Sequence, residues 1–289
     1  DCVHAAVERL LRTVPPTQLH AYAPAPGMAS VREKVAAYLT DTFGEAYRAQ
    51  DIYMTDGASS ALAILTRALM GPGDEAIVFA PYFPEYNPYV NHTGAKLRVV
   101  PADTADFQIN FDAFEEMMNE KVMAVLINTP NNPSGVAYST ETIKKLAEIL
   151  NEKQKEYGHD IFLISDEPYR EIVFEGADSP YVSKFYDNSV SCYSFSKSLS
   201  LPGERIGYLA VNPRATDADI FAVICGQISR GIGHNCPSSS AQLAVAKVLD
   251  KTSDLSVYET NMNLLYDALT DIGFEVVKPS GTFYIFPKA

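Results

Sequence analysis

Lys197 closes the run Ser194-Phe195-Ser196-Lys197, and Arg205 follows eight positions later. A lysine ammonium ordinarily sits on a solvated surface. This one follows the apolar, β-branched and aromatic run from Val190 to Phe195, which reads as a buried strand. An amine at a strand end, beside hydroxyls and a guanidinium, suits a group that reacts with a carbonyl while its neighbours hold an anion. Two other apolar runs end in unusual side chains. Val122 to Asn128 is closed by Thr129-Pro130-Asn131-Asn132-Pro133-Ser134-Gly135, and Ile161 to Ser165 by Asp166-Glu167-Pro168-Tyr169. Ligands of an open parallel sheet sit at the carboxyl ends of its strands, so the three runs can converge on one crevice. That would place an amide, a carboxylate, a phenol, an amine and a guanidinium around one ligand. An aromatic aldehyde carrying a phosphate and a ring nitrogen would engage all five.

The elements that must position these groups alternate between helical and strand patterns from Ser30 onward, which implies an α/β sheet with crossover helices. Ser30 reads as the N-cap of a helix with Val31, Val35 and Leu39 on one face. Ile52 to Met54 reads as a strand, and Gly57-Ala58-Ser59-Ser60 opens a helix that turns Leu62, Leu65 and Leu69 inward. Further strands are expected over Ala76–Ala80, Leu97–Val100 and Ile206–Val211, and helices over Phe111–Asn119 and Ser139–Lys153. From about Ser253 a helix carrying Leu255, Tyr258, Met262, Leu265 and Leu269 leads to Gly273, then to strands around Glu275–Val277 and Phe283–Phe286. The fold class is therefore α/β, a mostly parallel sheet of the seven-stranded type with helices on both faces, plus an incomplete small α/β domain. The expected divisions are residues 1–20 as an N-terminal helix belonging to the small domain or an arm, 21–255 as the large domain, and 256–289 as the start of the small domain.

Composition narrows the function. The chain has 289 residues, 47% of them hydrophobic and 20% charged, the profile of a globular protein with one large core. Its net charge of −13 argues against wrapping nucleic acid or an anionic membrane surface. The four cysteines, Cys2, Cys192, Cys225 and Cys236, are widely spaced and form no C-x-x-C pair. A structural metal and a disulfide framework are therefore not expected, and free thiols in a reducing cytoplasm are. No apolar stretch approaches the ~20 residues of a membrane span, and no signal peptide opens the chain.

The segments Tyr22-Ala23-Pro24-Ala25-Pro26-Gly27, Asp56-Gly57-Ala58-Ser59, Pro81-Tyr82-Phe83, Asn131-Asn132-Pro133-Ser134-Gly135, Asp166-Glu167-Pro168-Tyr169 and Ser194–Lys197 through Arg205 occur in that order. Together they make the chain resemble the class I pyridoxal-phosphate-dependent aminotransferases of the aspartate aminotransferase fold type, over nearly its whole length. The resemblance implies an enzyme that moves an amino group between an L-amino acid, aspartate among the candidates, and a 2-oxo acid. Lys197 would form the Schiff base with the cofactor aldehyde and then shuttle the proton. Asp166 would pair with the pyridine nitrogen, and Asn132 and Tyr169 would donate to the phenolic oxygen. Phe83 would stack on the ring, where related enzymes often carry Trp. Ala58, Ser59, Ser194 and Arg205 would bind the phosphate. Tyr22 would reach the phosphate of the neighbouring subunit, implying a homodimer with shared sites.

Arg230 lies in Ser229-Arg230-Gly231-Ile232-Gly233-His234-Asn235-Cys236-Pro237 and is similar to a segment whose arginine reaches the distal carboxylate of aspartate or glutamate; as a plain residue it would cap a helix C-terminus. The family's arginine for the substrate α-carboxylate would fall beyond Ala289, so the chain is expected to be a fragment or part of a longer protein. Two other chemistries use the same residues. A C–S β-lyase or related synthase on this fold needs the same lysine. Ser194 to Lys197 also satisfies S-x-x-K, the signature of penicillin-recognising hydrolases, although neither S-D-N nor K-T-G occurs in the chain.

Overall fold

The computed structural model describes residues 2–288. At its centre is a seven-stranded sheet: β1 (Ile52–Thr55), β2 (Glu75–Phe79), β3 (Lys96–Val100), β4 (Val122–Asn128), β5 (Phe162–Asp166), β6 (Ser189–Ser194) and β7 (Gly207–Val211), in the spatial order β1-β7-β6-β5-β4-β2-β3. The contiguous pairs from β3 to β6 are parallel, and β7 runs antiparallel to both its neighbours. This is the expected mostly parallel α/β sheet.

Both faces of the sheet are apolar, as crossover helices require. Successive residues of each strand alternate between layers. Tyr53, Val78, Leu126, Ile164, Cys192 and Leu209 pack under the helices Ala58–Leu69 and Ala218–Gly231. Ile77, Val125, Ile127 and Leu163 face the helix Thr140–Tyr157 on the other side. Towards β1 that second face is covered by the helix Ala29–Phe43, through Val31, Val35 and Leu39 against Ile52, Met54, Tyr208 and Ala210.

The terminal segments attach to this body at separate places. The helix Cys2–Thr13 packs Leu10 with Leu19 and Ala244, the last in the helix Ser239–Val245. The helix Ser256–Asp271 buries only Met262, which joins Tyr169, Ile172, Phe174 and the half-buried Phe283 and Tyr284 in a small apolar cluster.

Three sequence expectations are corrected. The first long helix begins at Ala29, with Met28 at the N-cap and no side-chain cap. The amide of Met28 itself donates to Gln242 Oε1 at 2.9 Å, which ties the start of the helix to a distant segment. The helix expected to end at Lys153 runs on to Tyr157, where Gly158 caps it. The two terminal strands are absent as strands: only the isolated bridges Val173–Gly281 and Val276–Pro287 form. Pro279 and Pro287 lack the amide that a continuing ladder needs.

Candidate active site

The carboxyl ends of β1, β4, β5 and β6 lie level at one edge of the sheet. Asn128 is opposite Asp166, Asp166 is opposite Cys192, and both Thr55 and Ser194 are opposite Gly207. Because β7 is antiparallel, it begins at this same edge, which brings Arg205 there from the loop before it. A crevice of about 220 Å³ opens over the edge and is lined by every expected site residue except Tyr22 and Arg230. Leu62, Asn128, Pro168, Ser196, Pro202 and Tyr284 also line it, and sequence reasoning had given none of these a role in the site.

Asp166, the last residue of β5, is buried. Its Oδ2 accepts a hydrogen bond from the Tyr86 hydroxyl at 2.7 Å, while its Oδ1 has no partner among the described residues. Burial pushes the carboxyl up to about 7 against the lowering effect of Tyr86, and neighbouring Glu167 adds to the rise. The Asp166 carbonyl accepts from Asn128 Nδ2 at 2.8 Å, and Asn128 Oδ1 accepts the Asn132 amide at 2.6 Å. One asparagine thus ties the end of β5 to the loop that carries Asn132. Nothing in the sequence marked Tyr86; the only cue was that Asp166 needed a partner.

Lys197 lies in the short helix Phe195–Ser198 that follows β6. Ser194 caps that turn: its Oγ accepts the Ser196 amide at 3.2 Å and donates to Ser196 Oγ at 2.8 Å. Lys197 Nζ has no carboxylate partner among the described residues and sits 5.3 Å from the centroid of the Phe283 ring. Burial, and secondarily the positive charge of Arg205, hold its amine below the ordinary lysine range.

The other end of the crevice suits an anion. Gly57 precedes the helix Ala58–Leu69 at φ +84, a backbone conformation that favours glycine. A Cβ on Gly57 would stand 2.8 Å from Arg205 Nη2. That bare position lets the guanidinium lie against the turn. Arg205 Nη2 donates to the Asp56 carbonyl at 3.2 Å, and Nη1 to the Pro202 carbonyl at 3.1 Å and Ser196 Oγ at 3.5 Å. Among the described residues it has no carboxylate partner, so its charge is uncompensated beside the free amides of Ala58 and Ser59. Because Ser196 Oγ accepts from both Ser194 and Arg205, the Ser196 hydroxyl proton is available to the crevice.

Phe83 packs edge-on to Tyr86, with ring centroids 5.6 Å apart. Tyr169 is buried, its hydroxyl 3.1 Å from that of Tyr284, and Asn132 also reaches it. Tyr22 is 97% exposed, away from its own chain's crevice. Arg230 sits exposed in the last turn of Ala218–Gly231, also outside the crevice.

An open α/β sheet whose strand ends gather a buried half-satisfied carboxylate, an amine of lowered pKa and a guanidinium without a carboxylate partner suits an anionic, nitrogen-containing ligand. The family model for aminotransferase class I and II matches residues 1–288, and the chain belongs to this family, whose members are generally pyridoxal-phosphate-dependent. An amino transferase from Eubacterium rectale superposes with a TM-score of 0.97 at 47% identity, covering 100% of this chain and 73% of that one. An aspartate aminotransferase from Thermotoga maritima superposes with a TM-score of 0.87 at 28% identity, covering 100% and 74%. A probable N-acetyl-LL-diaminopimelate aminotransferase of Bacillus subtilis is 31% identical over an alignment of 273 positions that covers 92% of this chain and 66% of that protein. The chain spans about two thirds of the length of the curated relatives it matches.

Proposed function

We propose that this chain holds pyridoxal phosphate in the crevice and serves an aminotransferase that exchanges an amino group between an amino acid and a 2-oxo acid. The observation that carries the reading is the buried, unpartnered Oδ1 of Asp166 in the same crevice as Lys197 and the unpaired Arg205. An orphaned buried carboxylate oxygen is costly. A protonated ring nitrogen is the partner it lacks, and a phosphate is the partner Arg205 lacks.

When bound, pyridoxal phosphate supplies an aldehyde that condenses with amines and a ring that draws electrons from them. Arg205, the Ser59 and Ser196 hydroxyls and the Ala58 amide hold the phosphate, and Ser194 fixes Ser196. Asp166 holds the ring nitrogen protonated, while Tyr86 orients its carboxylate. Phe83 would be the aromatic side chain against the ring. Asn132 and Tyr169 donate to the ring oxygen. Lys197 would supply the amine that condenses with the aldehyde and the base for the proton at the substrate α-carbon. Ser194, by contrast, is buried and hydrogen-bonded as a helix cap, an arrangement that gives a serine nucleophile no support. The exposed Tyr22 suits a residue completed by a second copy, so we read the assembly as a homodimer. The terminal segment 256–288 reads as part of a small domain that covers the crevice.

The test is chemical. Protein mixed with pyridoxal phosphate, reduced with borohydride and digested should carry the pyridoxyl group on Lys197, and Lys197→Ala should carry none. Because burial and Arg205 lower the Lys197 amine, its labelling should persist to lower pH than that of an ordinary lysine. Label at another lysine, or an undiminished adduct in Lys197→Ala, would overturn the assignment.

A further inference from the structure

The crevice contains a phenol that comes from the far end of the chain. Tyr284 and Tyr169 are 115 positions apart, yet their hydroxyls meet at 3.1 Å. The backbone leading to Tyr284 is pinned on two sides. The amides of Ser280 and Gly281 both donate to the Gly135 carbonyl, at 2.9 and 3.0 Å, in the loop that carries Asn132. Phe174 donates to the Ser280 carbonyl and Thr282 to the Ile172 carbonyl, both at 2.9 Å, just beyond Tyr169. Thr282 is buried at φ +62, where β-branched residues are rarely found. Such strain persists only where the surroundings over-determine it, and it gathers at functional sites. Here it turns Phe283 and Tyr284 towards the crevice. The Phe283 ring meets Tyr169 edge-on, with centroids 5.5 Å apart, and Lys197 Nζ lies over the same ring.

We propose that Tyr284 is a positioning residue for Tyr169: its hydroxyl donates to the Tyr169 oxygen, so that the Tyr169 proton is directed at the ligand in the crevice. Each phenol has one proton and two lone pairs. A Tyr169 that donated to Tyr284 would have no proton for the ligand, whereas a Tyr169 that accepts from Tyr284 and Asn132 keeps its own and gives it more strongly. The inference rests on the reading of the crevice as a pyridoxal phosphate site. The titratable groups around the pair are Asp166 at the end of β5, Lys197 over Phe283, Arg205 beside Lys197, and Tyr258, whose ring packs on Phe283.

Tyr284→Phe keeps the ring contacts and deletes only the hydroxyl. The readout is the pH at which the absorbance of bound pyridoxal phosphate changes, measured in wild type, Tyr284→Phe, Tyr169→Phe and the double variant. A weaker donor to the ring oxygen lets the chromophore keep its proton to higher pH. Tyr284→Phe should therefore raise the midpoint by about one pH unit, the size of a single hydrogen bond to a charged group. Tyr169→Phe should raise it at least as far, and the double variant no further than Tyr169→Phe alone, because Tyr284 acts through Tyr169. An unmoved midpoint in Tyr284→Phe, with Tyr169→Phe shifted, overturns this inference and leaves the cofactor reading standing; so do independent, additive shifts. A wild type that binds no pyridoxal phosphate overturns both.

Discussion

Tyr86 donates to one oxygen of Asp166 at 2.7 Å and leaves the other buried without a partner among the described residues. The two side chains are 80 positions apart, at the start of the short helix Tyr86–Asn91 and at the end of β5. A carboxylate satisfied on one side and open on the other is fixed in orientation but remains ready for a cation. This half-satisfaction has a measurable consequence in the protein without cofactor.

The Asp166 carboxyl is raised to about 7 in the fold, against an ordinary value near 4. Between those values the folded state binds more protons than the unfolded state, so stability falls as pH rises through this window and levels off above it. Below pH 4 both states are protonated and nothing is lost. Asp166→Asn removes the titration. The variant should match wild type near pH 4 and exceed it at pH 8, by at most about 4 kcal/mol. Thermal unfolding of cofactor-free protein across this range decides the matter, and parallel profiles would mean that Oδ1 is already satisfied.

Gly57 and Gly44 separate backbone strain from site geometry. Both lie at positive φ, +84 and +81, but a Cβ on Gly57 would press on Arg205 whereas one on Gly44 would meet nothing within 4 Å. Gly44→Ala should lose about 1–2 kcal/mol from its left-handed backbone, and Gly57→Ala at least as much, because its ψ of 178 places it in a region essentially confined to glycine. Only Gly57→Ala should weaken pyridoxal phosphate binding, by roughly tenfold or more as a charged hydrogen bond is displaced. Denaturant titration and cofactor titration of both variants test this. Equal affinities would show that Arg205 does not use the space.

Arg230 ends a helix and is exposed outside its own crevice. Arg230→Ala should therefore lower stability by about 0.3–1 kcal/mol through loss of a cation at the helix C-terminus. Rates with aspartate, an aromatic and an aliphatic amino acid should change by the same small factor. A loss confined to aspartate would contradict this and assign Arg230 to a distal carboxylate in the site of a second copy.

The chemistry of the site was written in local sequence because strand ends are local. Apolar runs stopping at Asn128, Ser165 and Phe195 located three strands, all confirmed to within a residue, and the polar groups just beyond them could converge at one edge of a parallel sheet, where the structure places them. Lys197, Asp166, Asn132, Tyr169 and Arg205 were legible from those strand ends together with the family resemblance, and the fold brings them into one crevice. So was Ser194, although its side chain turned out to cap a turn and hold Ser196. The boundary at Ala29 was not legible, because the group satisfying Met28 is 214 positions away. Tyr86, Asn128, Ser196 and Tyr284 escaped for a related reason. A tyrosine in an aromatic stretch and another near the end of the chain carry no signal until the fold brings Tyr86 to Asp166 and Tyr284 to Tyr169. Sequence spacing determined which residue types stood at the strand ends. Only tertiary packing decided which lone pairs and protons were already taken, because hydrogen bonds between distant segments are made in space and leave no period in the chain.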